Sequence, residues 1–325
     1  MTGGAGYVGA ASVEALLVAG HPVVVLDDLS TGHRAAVPPE ATFVEGSYTD
    51  DGPVAALLAE HRIDAVLHCA ALSLVGESIA KPALYHEQNV IGGMALLDAC
   101  RTAGVHRFVF SSTAAVYGIP EATPIDEDAP TRPINPYGET KLLFEAALSA
   151  ASADGLRGVS LRYFNVAGAS VAVGEDHRPE THLIPNVLAA AAGGEPVTIF
   201  GDDYATPDGT AIRDYIHVAD LAAAHLAALE ATAPGDLRAD APLVCNLGSS
   251  AGFSVREILA AAEAVVGRPI PHRVGPRRTG DPPVLVASNA RAARVFGWHP
   301  RYSTLPEMVG SAWAWRQAHP AGFRV

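Results

Sequence analysis

Lysine is nearly absent from this chain. Of 22 basic residues in 325, all but Lys81 and Lys141 are arginine. Acidic residues number 35, so the formal net charge is −13. That deficit of positive charge argues against nucleic acid and anionic membrane as partners. Any anionic ligand must be held by local groups rather than by the global field. Cysteine is sparse too: Cys69, Cys100 and Cys245 lie far apart and show no metal-ligand spacing. We expect no metal site, and the usage fits a reduced, cytoplasmic protein. Long apolar runs are also missing. The apolar stretch 8–26 is broken by Glu14, His21 and Pro22 and has no basic leader. Neither a signal peptide nor a membrane span is expected. There is no internal repeat and no low-complexity linker.

What is present is a strand–helix rhythm. Hydrophobic residues make up 49% of the chain, enough for a large core in one large or two smaller domains. Short β-branched or apolar runs at 23–26, 65–68, 107–110 and 159–163 read as buried strands. Segments 10–19, 53–61, 92–103 and 136 to about 153 read as helices, with Pro136 at a position helices favour near their start. Continuous apolar strands alternating with helices imply an α/β fold, a doubly wound parallel (Rossmann) sheet covered on both faces. After Ala167 the rhythm breaks into longer loops rich in Pro, Asp and Gly. Strand-like returns appear at 215–218 and 243–246. This divides the chain into a nucleotide-binding domain, 1–166, with returning segments near 213–220 and 243–249, and a smaller α/β substrate domain, 167–325.

Gly3, Gly6 and Gly9 form a G-x-x-G-x-x-G loop ahead of the first helix. Such a loop lets the backbone approach a pyrophosphate, which then sits on the helix N-terminus. The pattern alone is weak. Its context adds a helix, a strand and then Asp27, 18 residues past Gly9 and near the offset of a ribose-binding acid. A carboxylate there accepts from both ribose hydroxyls and repels a 2′-phosphate, so the reading is NAD over NADP. The competing reading of Asp27 is a turn or cap residue, a part Asp28 could also fill. One element is out of place: only Met1 precedes the loop, where the central strand belongs. The first strand therefore reads as missing, with the true start upstream, which would leave two sheet edges facing a gap.

Tyr137 and Lys141 sit four apart in the last predicted helix of the first half. Placing one of two lysines a helical turn from a tyrosine suits a phenol base beside a compact ammonium, which a planar guanidinium would replace poorly. Exposed i,i+4 pairs of this kind are also common on helices without any function.

The glycine loop, Phe110-Ser111-Ser112-Thr113, the Tyr137/Lys141 pair and Leu161-Arg162-Tyr163-Phe164-Asn165 together resemble the extended short-chain dehydrogenase/reductases. Within them the chain resembles the UDP-glucose 4-epimerase family. Val75-Gly76-Glu77-Ser78, Val116-Tyr117-Gly118, Gly209-Thr210, Arg213 to Val218, Pro276-Arg277-Arg278 and Gly280-Asp281 fit the same pattern, which runs from Thr2 to Phe323. The resemblance implies NAD-dependent epimerisation of UDP-glucose and UDP-galactose at C4 through a transient 4-keto sugar. Tyr137 would take the C4 hydroxyl proton. Lys141 would favour the phenolate and bind the nicotinamide ribose, and Thr113 would hydrogen-bond the reacting oxygen. It further implies NAD contacts from Gly3, Gly6, Tyr7, Val8, Gly9, Asp27, Asp28, Tyr48, Ala70, Asn89, Ser111, Tyr163 and Phe164. UDP-sugar contacts fall on Thr113, Asn165, His182, Leu183, Thr198, Phe200, Arg213, Arg278 and Asp281, with Leu285 as the substrate-size gate. Two arginines suit a diphosphate through forked hydrogen bonds, although solvation is the usual fate of an arginine and His182 could equally be a structural loop residue. A homodimer through the helices at 92–103 and 136–153 is also implied.

Departures and rivals narrow the reading. Gly46-Ser47 replaces the family's Gly-Asp at the adenine-binding strand end. The Ala70-Ala71-Leu72-Ser73 segment lacks a lysine that many members carry beside the phosphates. Leucine at 285 is intermediate in size, which leaves N-acetylated UDP-sugars open as substrates. A 4,6-dehydratase needs an acid/base pair directly after Thr113, and Ala114-Ala115 cannot move protons. A uronate epimerase or decarboxylase would need a further cation near the sugar, and none is evident. A non-catalytic NAD-binding protein on the same scaffold would typically lack Tyr137 or Lys141.

Overall fold

The computed structural model describes residues 1–239, 241–278 and 280–323. Helix α1 (Tyr7–Val18) leads into strands β1 (Val24–Asp27) and β2 (Thr42–Glu45), then α2 (Asp51–Glu60) and β3 (Val66–His68). Short helices α3 (Val75–Ala80) and α4 (Pro82–His86) run through a π-turn at Glu87–Gly92 into α5 (Gly93–Ala103). Strand β4 (Arg107–Thr113), helix α6 (Pro136–Ala150) and strand β5 (Arg157–Tyr163) complete the first half. The second half comprises β6 (Asn165–Ala167), α7 (Leu183–Ala191), β7 (Val197–Phe200), β8 (Ile212–His217), α8 (Val218–Ala231) and β9 (Leu243–Leu247). Then follow β10 (Gly252–Ser254), α9 (Val255–Val266), β11 (His272–Gly275), β12 (Val284–Leu285), α10 (Ala290–Phe296) and α11 (Leu305–Ala318).

The main sheet is parallel throughout. Strand β2 pairs with β1, and β3, β4, β5 and β9 follow in that order. Between β1 and β3 lies Thr2, which bridges Leu26 on one side and His68 on the other. Leu26 N–H donates to Met1 O at 2.8 Å, and Thr2 N–H donates to Leu67 O at 3.1 Å. The expected gap is thus closed at its carboxyl end: residues 1–3 occupy the central position and join the two halves of the sheet.

Alternation along β4 builds both faces of the core, as a period of two requires. Val109 packs with Val159, Leu161, Leu16 and Leu221 beneath α1 and α8. Phe108 and Phe110 point the other way, to Leu58, Leu96, Phe144 and Leu148 on α2, α5 and α6. The rings of Phe110 and Phe144 meet edge-on at 4.5 Å, a favoured aromatic geometry that seats α6 on β4. The start of α6 is set locally. Asn135 Oδ1 accepts from Gly138 N–H at 2.8 Å, and Pro136 occupies the first turn.

The second half builds a separate core. Strand β8 pairs with β6, β10 and β12, and β7 pairs with β11. Ile184, Val187, Leu188, Ile199, Ile258, Met308 and Val309 fill the space under α7, α9 and α11. Of the two expected returning segments, β9 joins the main sheet. Strand β8 lies in the second-half sheet and feeds α8, which packs on α1. Val218, expected at the end of a strand, opens α8 instead, because the His217 ring caps that helix by accepting from Ala219 N–H at 3.1 Å. Among the described residues no helix is long and apolar enough to cross a membrane.

Candidate active site

Three residues of α6, spaced four apart, meet three consecutive residues of β4. Residues at i, i+4 and i+8 share one helix face. The Tyr137 hydroxyl faces the Thr113 side chain, which draws its pKa down. Lys141 Nζ donates to Ser111 O at 2.9 Å and lies 4.8 Å from the Phe110 ring centre and 5.8 Å from that of Tyr137. Ser112 Oγ donates to the Glu145 carboxylate. Gly138 makes this approach possible: a Cβ there would stand 2.6 Å from Ala115 O in the turn after Thr113. That turn, Ala114–Tyr117, is itself capped by Thr113 Oγ1, which accepts from Ala115 N–H at 3.2 Å.

Burial sets the electrostatics. It pushes the Tyr137 phenol up to about 12, against the Thr113 side chain that pulls it down. It brings the Lys141 ammonium down to about 8, while Cys69 and Glu145 act in the opposite direction. Each charge is costly alone, and each is relieved by an opposite charge at close range. An ammonium at Lys141 is therefore the group placed to relieve a negative charge on Tyr137. Burial also pushes the Cys69 thiol up to about 12, which leaves it neutral and unreactive.

At the head of α1 the glycine loop is packed backbone against backbone. A Cβ on Gly9 would stand 1.9 Å from Gly3 O. The N-cap Gly6 offers no side chain, and the first turn of α1 holds no acidic residue. This leaves the helix N-terminus open to an anion. Asp27 is buried; its Oδ2 accepts from Ala5 N–H and its Oδ1 from Leu29 N–H, both at 2.9 Å. It ties the loop to the end of β1 and retains lone pairs for a ribose diol. Asp28 is exposed and turns to Ser30, whose N–H it accepts at 3.0 Å. Tyr7 OH donates to Gly168 O at 2.6 Å, with Val8 packed beside it. Tyr48 OH donates to Gln88 O at 2.9 Å. Asn89 holds the turn after Ala70 by accepting from Leu72 N–H and donating to Leu72 O, each at 2.9 Å. Ser111 Oγ and Tyr163 OH are hydrogen-bonded, and Phe164 is buried nearby in sequence. This donor and acceptor set fits a dinucleotide: open helix-end N–H groups for the phosphates and a strand-end carboxylate for a ribose.

The expected substrate residues fall on the second half. Asn165 Nδ2 donates to Asp214 O at 2.9 Å. Arg213 donates to Asp281 Oδ1 at 2.5 Å and to Pro282 O at 2.8 Å, and Leu285 is its register partner across β8 and β12. The Arg278 guanidinium lies 4.1 Å above the Phe200 ring. Thr198, on the same face of β7, accepts instead from Arg273 Nε at 3.1 Å, a partner the sequence did not single out. His182 stands at the N-cap position of α7, just before Leu183, without a side-chain hydrogen bond to the helix. Its Nδ1 lies 2.6 Å from Glu175 Oε1 and 2.8 Å from Glu180 Oε1, and these carboxylates push it up to about 10. With His177 the four ligand atoms lie within 4.8 Å of one another, as a metal site would require. The same two carboxylates pair with His182 as an ion network on the loop ahead of α7.

Sequence reasoning missed the residues that brace this site. Arg162 on β5 donates to both Glu145 oxygens, at 2.9 and 2.5 Å, and to Tyr117 OH at 2.9 Å. Tyr117 OH donates in turn to Asn246 Oδ1 at 2.7 Å. The signal was available in the four-residue step from Lys141 to Glu145. The buried Asp214 carboxylate was missed as well. It accepts from Ser249 N–H at 2.8 Å and Ala287 N–H at 3.0 Å and so organises the loops around β8.

The model of the NAD dependent epimerase/dehydratase family matches residues 1–240. A UDP-glucose 4-epimerase of Streptomyces lividans is 51% identical over 326 residues, spanning 99% of this chain and 97% of that protein. The structure of UDP-glucose 4-epimerase from Brucella ovis in complex with NAD superposes with a TM-score of 0.92 at 45% identity, covering 96% of each chain. The Bifidobacterium longum UDP-glucose 4-epimerase in complex with NAD+ and UDP gives a TM-score of 0.92 at 36% identity, covering 99% of this chain and 98% of the other.

Proposed function

The chain belongs to the NAD dependent epimerase/dehydratase family, and from that premise we propose that it interconverts UDP-glucose and UDP-galactose at C4. The reading rests on one observation above the rest: Tyr137, Lys141 and Thr113 converge where α6 meets β4. NAD is the cofactor, and when bound it supplies a hydride acceptor and donor. Tyr137 takes the proton of the C4 hydroxyl, and Thr113 hydrogen-bonds that oxygen. Lys141 holds the developing phenolate by charge. The resulting 4-keto sugar turns over within the site, and Tyr137 returns the proton after reduction of the opposite face. Ala114 and Ala115, directly after Thr113, carry no acid or base, so the sequence ends at epimerisation without loss of water.

Residues 1–166 serve as the NAD-binding domain and 167–325 as the UDP-sugar domain in this reading. Gly3, Gly6 and Gly9 with the N-terminus of α1 take the pyrophosphate, and Asp27 takes the adenosine ribose. Arg213 and Arg278 take the substrate diphosphate, and Phe200 takes the uracil side. Leu285, opposite Arg213 in register, sets the width available to the sugar. A leucine there leaves room that a tyrosine would fill, which favours some turnover of N-acetylated UDP-hexoses as a second activity. We read the protein as a cytoplasmic homodimer of galactose metabolism. Exposed Ile91, Met94 and Leu143 give the α5–α6 surface an apolar stripe suited to a second copy. The test is conversion of UDP-galactose to UDP-glucose by the purified chain and by Tyr137→Phe. Conversion by the first and none by the folded second is expected. Full turnover by the variant would sink the assignment of Tyr137.

A further inference from the structure

Glu145 and Arg162 form an ion pair at the heart of the first half, with side chains only 6% exposed. Buried pairs of this kind are weak contributors to stability, because desolvation offsets their attraction. Their geometry here is specific. Glu145 is the third member of the α6 stripe that begins with Tyr137 and Lys141. It is gripped from β4 by Ser112, the residue before Thr113, and from β5 by Arg162, the residue before Tyr163. Arg162 is itself fixed by Tyr117 OH, at the end of the turn that follows Thr113, and its guanidinium lies 5.0 Å from that ring centre. Tyr117 is anchored by Asn246 on β9, whose Nδ2 donates to Ile125 O at 2.9 Å.

We propose that Glu145, clamped by Ser112 and Arg162, is a positioning residue that sets the axial register of α6 on β4 and so the placement of Tyr137 and Lys141 against Thr113 and Ser111. The inference rests on the epimerase reading above. The aromatic contact of Phe144 with Phe110 holds α6 against the sheet but is non-directional along the helix axis. A forked carboxylate–guanidinium pair admits only one register. A slip of about 1 Å between reacting groups costs roughly 100-fold in rate, so the clamp acts on kcat while leaving the remote glycine loop at α1 and the diphosphate contacts of the second half untouched.

The experiment compares Glu145→Gln and Ser112→Ala with the unmodified chain, each checked for fold by circular dichroism and for bound NAD. In Glu145→Gln, kcat for UDP-galactose is expected to fall roughly 10- to 100-fold, with KM within about threefold and NAD content retained. Ser112→Ala removes one grip without stranding a charge, and a smaller fall in kcat alone is expected. If Glu145→Gln fails to fold, the Ser112→Ala result decides. A folded, NAD-loaded variant with kcat within about twofold of the parent overturns the proposal, as does a loss that merely tracks the unfolded or NAD-free fraction. Absence of turnover in the parent would instead overturn the epimerase reading itself.

Discussion

Replacing Lys141 with methionine keeps the volume of the side chain and removes its charge. The ammonium lies 5.8 Å from the centre of the Tyr137 ring. Taking that as the separation of charges, with an effective dielectric constant of about 20, its attraction for a phenolate is about 3 kcal/mol. At about 1.4 kcal/mol per decade, sugar-driven reduction of bound NAD should slow by roughly 100-fold. Single-turnover absorbance of the reduced nicotinamide reads this directly, and NAD content separates the loss of charge from loss of the ribose contact. The pH dependence gives the sign. Lys141 stands at about 8, so the ammonium helps fully below that value and is lost as pH rises through it. The variant has no such charge to lose, so its rate carries no loss as pH rises through that value. The ratio of parent to variant rates should therefore shrink above about pH 8. A ratio that stays constant from about pH 7 to about pH 10 would refute the electrostatic account, as would a loss under about threefold in folded, NAD-loaded protein.

Two further outcomes are expected. Leu285→Tyr should lower turnover of UDP-N-acetylgalactosamine relative to UDP-galactose; an unchanged ratio of the two rates removes Leu285 as the gate. His182 is raised from its ordinary value to about 10 by Glu175 and Glu180, so its contribution to stability is complete below about pH 6.5 and fades as pH climbs through 10. The melting temperature of the parent should fall over that window more steeply than that of His182→Gln, and parallel curves would show that the network carries no linkage.

The main sheet was legible because its strands are short, apolar or β-branched runs separated by segments of helical length. Strand β4 runs three residues further than its apolar core predicts, since Ser111, Ser112 and Thr113 are polar yet paired with β5 through Tyr163. Helix α1 starts at Tyr7 rather than Ala10, because a glycine loop carries no side-chain cap to mark the boundary. The helix expected at 92–103 is preceded by a π-turn that brings Asn89 toward Thr140, 3.2 Å away, and nothing in the local composition announces it. Many second-half strands are only two to four residues long. Their pairing is decided by tertiary contact rather than propensity. Tyr137 and Lys141 stood out as residue types at an informative spacing, and Thr113 entered only through the family resemblance. Glu145 and Arg162 did not, because a lone charge on a helix or in a strand reads as solvated until its partner, 17 residues away, is seen to share its burial.

The central claim is that one hydride leaves C4 and returns to the same carbon. Incubating the protein with UDP-galactose carrying deuterium at C4, in ordinary water and without added NAD, tests it most directly. The account predicts UDP-glucose with the deuterium still at C4. Conversion with the label lost to solvent would contradict it, and so would the absence of conversion by protein that holds NAD.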